Sequence, residues 1–259
     1  MQQGYLATWL DQGKEMTEKV LSSSQLIYKN KLWEGFFRHR TVMVVSALAV
    51  IIIPWSVFRY LVPENVEKNI PADVSGIQAN IIEQSVSLNS LFSGGNKYIL
   101  LILIQMLVIH VSNRTLEYLS GVKLGLSVKM MIDSQLRVVV VSLRNWVFEL
   151  IIGILISVAL GIIGSGFLVP YFKFFVGAYF VGFIFIDNFN HLFGMNIKES
   201  AVVVQKYAGA ALAVGIMTKI LFLMPFLGAL IASFVCTVGA TWFMYRHEGY
   251  RIDEGQLKY

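Results

Sequence analysis

The sequence predicts an all-α integral membrane protein with two long spanning helices, two helical hairpins and a cytoplasmic helical region. Three observations predict it. Of 259 residues, 56% are hydrophobic and only 14% are charged, against about 25% charged in a typical soluble domain. Mean hydropathy is +0.65. The apolar residues fall in long runs separated by polar connections. So few polar residues cannot cover a water-facing sphere of this size. The abundance of aromatic and β-branched residues excludes a disordered chain. Cys236 is the only cysteine, which excludes a disulfide scaffold. The net charge of +5 forms no solvated basic stripe of the kind that tracks nucleic acid, so no nucleic-acid partner is expected.

Residues 1–40 form a polar arm, separate from a single helical membrane domain over 41–259. Lys14, Lys19, Lys29, Lys31, Arg38 and Arg40 alternate there with Asp11, Glu15, Glu18 and Glu34, around Leu21, Ile27, Leu32, Trp33, Phe36 and Phe37. Two forms fit: an amphipathic helix at the membrane surface, or a helix packed on the protein's own cytoplasmic side. The arm lacks the short apolar core of a signal peptide. The first span is expected near 41–62, with Pro54 kinking it and Pro63 ending it. The connection 63–97 is polar and includes the turn Ser93-Gly94-Gly95-Asn96. The second span is expected near 91–113. One long helix should then leave the membrane through the helical region 114–144.

Bases sort by side. The arm has the six named above, 63–97 has only Lys68 and Lys97, and 114–144 has Arg114, Lys123, Lys129, Arg137 and Arg144. The positive-inside rule therefore places the N-terminus and 114–144 in the cytoplasm, and 63–97 outside. The run 150–186 is too long for one span and short of two. Gly164-Ser165-Gly166 and Pro170 break it, so it reads as a hairpin. A polar segment, 187–206, follows. The stretch 207–245 is a span or a second hairpin interrupted at Pro225 and Gly228. The tail 246–259 has balanced charge.

Gly153, Ser157, Gly161 and Ser165 recur every four residues, as do Gly228, Ala232, Cys236 and Ala240. Such ridges let helices approach closely in lipid. Ionisable groups within apolar segments are the functional candidates: Lys173, Lys219, Asp187 and His110. Each also has a plainer reading. The lysines can snorkel to headgroups, Asp187 can cap a helix or pair with a lysine, and His110 can sit near the interface. Asp187 and His191 have metal-ligand spacing but lack a third ligand; a cap and turn is the better reading of Asp187-Asn188-Phe189-Asn190-His191, and no metal is expected. Zinc-protease, nucleophile-elbow, Walker A and dinucleotide motifs are all missing, so neither an enzyme nor a cofactor is expected.

The run Asp187-Asn188-Phe189-Asn190, followed by Lys198, Lys206 and Gly209, then Phe222-Leu223-Met224-Pro225-Phe226-Leu227-Gly228 and Gly239-Ala240-Thr241, resembles the CysZ sulfate permeases. These belong to the etoposide-induced transmembrane protein family. The resemblance covers roughly 185–243, and Leu32-Trp33 before the first span fits it. It implies two long spanning helices, hairpins that only partly penetrate the membrane, an oligomer, and sulfate uptake. The family's Gly-Leu-Arg-type sulfate loop reads Asn30-Lys31-Leu32-Trp33-Glu34-Gly35 here, without the glycine before the base and with Glu34 added. Lys29 and Lys31 remain as bases that could attract an anion, or as part of a solvated arm. Two functions follow: an anion permease with sulfate as leading substrate, or a non-transporting subunit or assembly factor of a larger membrane complex. The expected partners are the lipid bilayer, an inorganic anion such as sulfate, and further copies or subunits.

Overall fold

A computed structural model describes residues 2–33, 96–125, 127–224 and 227–248. The expected first span near 41–62, the connection up to residue 95 and the tail from residue 249 lie outside the described residues. Seven α-helices and no strand are present among them: α1 Gln2–Asn30, α2 Asn96–Ser120, α3 Val128–Ile162, α4 Val169–Leu192, α5 Ile197–Lys206, α6 Ala208–Phe222 and α7 Leu227–Glu248. Three are long and apolar enough to cross a membrane: Lys129–Ile162, Gly166–Leu192 and Gly228–Glu248. The chain is therefore built as a multi-pass helical membrane protein.

The region 114–144 is not one long helix leaving the membrane. Helix α2 stops at Ser120, and Gly121 follows with φ +72°, a left-handed conformation that costs glycine little. The turn is pinned from inside: the Glu117 carboxylate accepts from Leu124 N–H at 2.9 Å and the Asn113 amide donates to the Leu124 carbonyl at 3.1 Å. Helix α3 then starts with the Ser127 hydroxyl accepting from Met130 N–H at 3.1 Å, an N-cap. The arms of the hairpin expected over 150–186 are thus longer than expected, beginning at Val128 and ending at Leu192. Its turn does lie at 163–168, where Gly164 takes φ +74° and Pro170 stands in the first turn of α4, a position that needs no N–H.

Asp187 to Leu192 are not a polar connection but the buried last turns of α4. Helix α5 then opens with a capping box between Asn196 and Glu199 and meets α6 at a 92° bend. The stretch 207–245 resolves into two antiparallel helices, the 15-residue α6 and the 22-residue α7. Helices α4 and α6 cross with backbone against backbone. A Cβ at Gly182 would collide with the Ala211 carbonyl, and one at Gly215 with the Ala178 carbonyl. Small residues four apart on both helices make that approach possible. Helix α1 packs in the groove between α6 and α7, with Met16, Val20 and Ser23 buried. The described part of the arm is thus a helix packed against the bundle. One end of the bundle is tied by a hydrogen bond between Glu15 and His247 at 2.7 Å and by the ion pair of Lys206 with Glu248 at 2.9 Å.

Candidate functional site

The α2–α3–α4 interface holds a dense arrangement of buried polar side chains among the described residues. Asp187 on α4 receives both forks of Arg137 on α3, Nε at 2.9 Å and Nη2 at 2.7 Å. The pair is nearly sealed, with side-chain exposures of 11% for Arg137 and 3% for Asp187. Arg137 Nη1 also donates to the Met195 carbonyl, tying the α4–α5 turn to α3. A bidentate Arg–carboxylate fork has fixed geometry and is among the stronger hydrogen-bonded pairs.

One residue further along α4, Asn188 faces α2. Gln105 Nε2 donates to Asn188 Oδ1 at 2.6 Å and to Ser134 Oγ at 2.7 Å, and Asn188 Nδ2 returns a bond to Gln105 Oε1 at 3.3 Å. All three are buried. Asn190 faces α5 and donates to Ser200 Oγ at 2.9 Å. The run Asp187-Asn188-Phe189-Asn190-His191 is therefore not a cap and turn. It is helix interior whose successive side chains bond three different neighbours: α3, α2 and α5. Toward the hairpin tip the file continues with Asn145, which donates to the Phe180 carbonyl at 3.3 Å. Beside it, the Arg144 guanidinium stands 4.9 Å from the Phe183 ring centre. Arg144 lies within the electrostatic reach of both Asp187 and Arg137. Its buried Nε has no hydrogen-bond partner among the described residues.

The residues singled out from sequence do not converge here, Asp187 excepted. Asp187 pairs with an arginine rather than a lysine. Lys173 is exposed on the first turn of α4, its stem lying 3.5 Å from where a Cβ on Gly153 would stand. Lys219, in the last turn of α6, donates to the Phe174 carbonyl at 3.0 Å and sits 4.5 Å over the Phe174 ring. Both lysines thus reach the first turns of α4, far from Asp187. Lys29 and Lys31 lie at the C-terminal end of α1, Lys31 with φ +46°. His110 is buried on α2. Among the described residues no three His, Cys, Asp or Glu side chains stand together as metal ligands.

The two small-residue ladders differ. Ala232, Cys236 and Ala240 are buried, and a Cβ at Gly228 would strike the Leu221 carbonyl; this ladder packs inside the chain. On α3 the Ser157 hydroxyl bonds back to the Gly153 carbonyl at 2.8 Å, and a Cβ at Gly161 would meet nothing within 4 Å. Arg137, Ser134 and Gln105 are not among the residues singled out from sequence. A signal existed: Ser134, Arg137, Arg144 and Asn145 lie on one face of a helix otherwise rich in valine, at spacings of three, seven and one. No protein-family model matches the chain, and no curated protein matches it.

Proposed function

We propose that this chain is a multi-pass permease for a small inorganic anion, sulfate in the first instance, in a bacterial-type plasma membrane. The observation that carries this reading is the pair of guanidiniums on one face of α3. Arg137 and Arg144 both project into the α3–α4 interface, where Asp187 is the carboxylate that answers them. Charge inside an apolar helix is expensive and marks ion paths by default. Three of the five N–H donors of Arg137 are taken by Asp187 and Met195 and its charge is answered by Asp187, so Arg144 is the group with more donor capacity to offer an anion. Arginine suits a planar or tetrahedral oxyanion, since its donors are set in a rigid fork. The resemblance of 185–243 to the CysZ permeases supports the same class and names sulfate.

Orientation follows from the bases. Lys14, Lys123, Lys129, Lys198, Lys206 and Arg246 belong to the end of the bundle where α4 finishes and α6 begins, while Lys29, Lys31, Lys173 and Lys219 belong to the other. The positive-inside rule puts the first end in the cytoplasm. A second reading, a non-transporting subunit of a larger membrane complex, draws on the Gly161 end of the α3 ladder, where a Cβ would meet nothing within 4 Å and a partner helix could approach.

The test is labelled sulfate uptake into proteoliposomes. Wild-type protein takes up sulfate saturably. Arg144→Ala lowers uptake about tenfold or more, the loss expected for one charged hydrogen bond at roughly 1.5–3 kcal/mol. Lys173→Ala and Lys219→Ala retain it. No uptake by folded wild-type protein removes the permease reading and leaves the subunit reading. Uptake lost in the lysine variants but kept in Arg144→Ala moves the path to the outer end of α4.

A further inference from the structure

We infer that α1 crosses the membrane beside α7, antiparallel to it, and is not a surface arm. The contacts fix a register along the two helices. Glu15 bonds His247 at 2.7 Å, the Lys19 ammonium lies 4.4 Å from the Trp242 ring centre, and Val20 packs on Gly239 so closely that a Cβ there would collide with it. Further along, Leu26 and Ile27 share an apolar cluster with Phe234 and Leu230. Every step toward the C-terminus of α1 is a step toward the N-terminus of α7. The end of α1 therefore lies beside the beginning of α7, at the opposite end of that span from Arg246 and Glu248.

The residues of α1 agree with such a depth. Val20 to Tyr28 carry no charge, while Lys14, Glu15, Glu18 and Lys19 precede them and Lys29 and Lys31 follow. Lys19 and Lys29, the charges that bracket this stretch, stand about 15 Å apart along the helix at a rise of ~1.5 Å per residue, about half of the ~30 Å hydrocarbon core. The flanking lysines can snorkel to either interface. Four polar side chains of α1 bond back to its own carbonyls: Thr17 to Gly13 at 2.8 Å, Ser23 to Val20 at 2.6 Å, Ser24 to Leu21 at 3.3 Å and Asn30 to Leu26 at 3.0 Å. Where water is scarce, that is how hydroxyl and amide groups are satisfied. Composition hides this helix because its mean polarity is high, and its partners α6 and α7 supply the apolar seat.

The inference rests on α7 being a span, and the test separates the two. In a Cys236→Ala background, single cysteines Lys14→Cys, Ser24→Cys, Lys31→Cys and Arg246→Cys are exposed to a membrane-impermeant maleimide in right-side-out and inside-out vesicles. Lys14→Cys and Arg246→Cys are modified from one face, Lys31→Cys from the other, and Ser24→Cys from neither until detergent is added. Lys29→Cys gives the same readout as Lys31→Cys should that variant not accumulate. Modification of Lys31→Cys from the face that modifies Arg246→Cys overturns the inference. Release of the whole chain by alkaline carbonate removes the membrane reading of α7, and the crossing of α1 with it.

Discussion

At the crossing of α4 and α6, and again where α1 meets α7, the helices touch backbone to backbone through Gly182, Gly215 and Gly239. On the outer arm, α3 and the start of α4 turn Leu150, Ile154, Leu155, Val158, Ile162, Phe167 and Phe172 outward. Only 11% of the most apolar stretch of Lys129–Ile162 is buried, against 67% in Gly228–Glu248. Both regions are apolar, yet they are held differently. In lipid, burying a leucine gains little because acyl chains solvate it as well as protein does. Cohesion must come from close packing and polar bonds. The inner bundle has both, whereas the outer arm has a surface made for lipid. The difference teaches that hydropathy locates these helices in the membrane but says little about which of them hold together.

The sharpest way to break the inner region is to leave a charge alone in it. Asp187→Ala strands the Arg137 guanidinium among buried side chains, a change that costs about 3–5 kcal/mol in comparable buried pairs. Thermal unfolding in detergent should show a large fall in Tm or loss of the folded species. The double variant Arg137→Met/Asp187→Leu should recover much of it, because an apolar pair needs no partner. A smaller effect is expected at the amide network. Gln105→Leu removes the bonds to Ser134 and Asn188 and should cost about 1 kcal/mol, near the upper part of the range for interhelical hydrogen bonds in membranes. The smallest is expected on the outer arm: Lys173→Ala should leave stability within about 0.5 kcal/mol, as at other exposed positions.

Much of the fold can be read from the residues alone. Apolar runs give the all-helical membrane class, Gly164-Ser165-Gly166 gives the hairpin turn, and Pro225 gives a break that falls between α6 and α7. The α2–α3 break was equally visible in Gly121 and Gly125, but the helix-compatible residues around them concealed it. Arg137 counts in the sequence only as one of the bases of 114–144. A count of bases by side has no place for a base buried against a carboxylate, as Arg137 is against Asp187. Local pattern offers Asp187 a cap or a lysine as partner, because the arginine it pairs with lies 50 residues away, a separation that no local pattern encodes. The α4–α6 crossing needs Ala178 and Gly182 to meet Ala211 and Gly215; each four-residue spacing is present in the sequence, but which ridge meets which is a tertiary fact.

The central claim is that backbone contact, not apolar area, holds this bundle together. The most direct measurement is the unfolding of Gly215→Ala beside Gly161→Ala under the same conditions. Both add one methyl group to an apolar helix. At Gly215 the methyl strikes the Ala178 carbonyl, and overpacking should cost about 1–3 kcal/mol or more. At Gly161 it meets open space, and the gain in helix propensity should leave the protein unchanged or steadier by up to about 1 kcal/mol. Equal shifts in the two variants, or a greater loss at Gly161, would contradict the account.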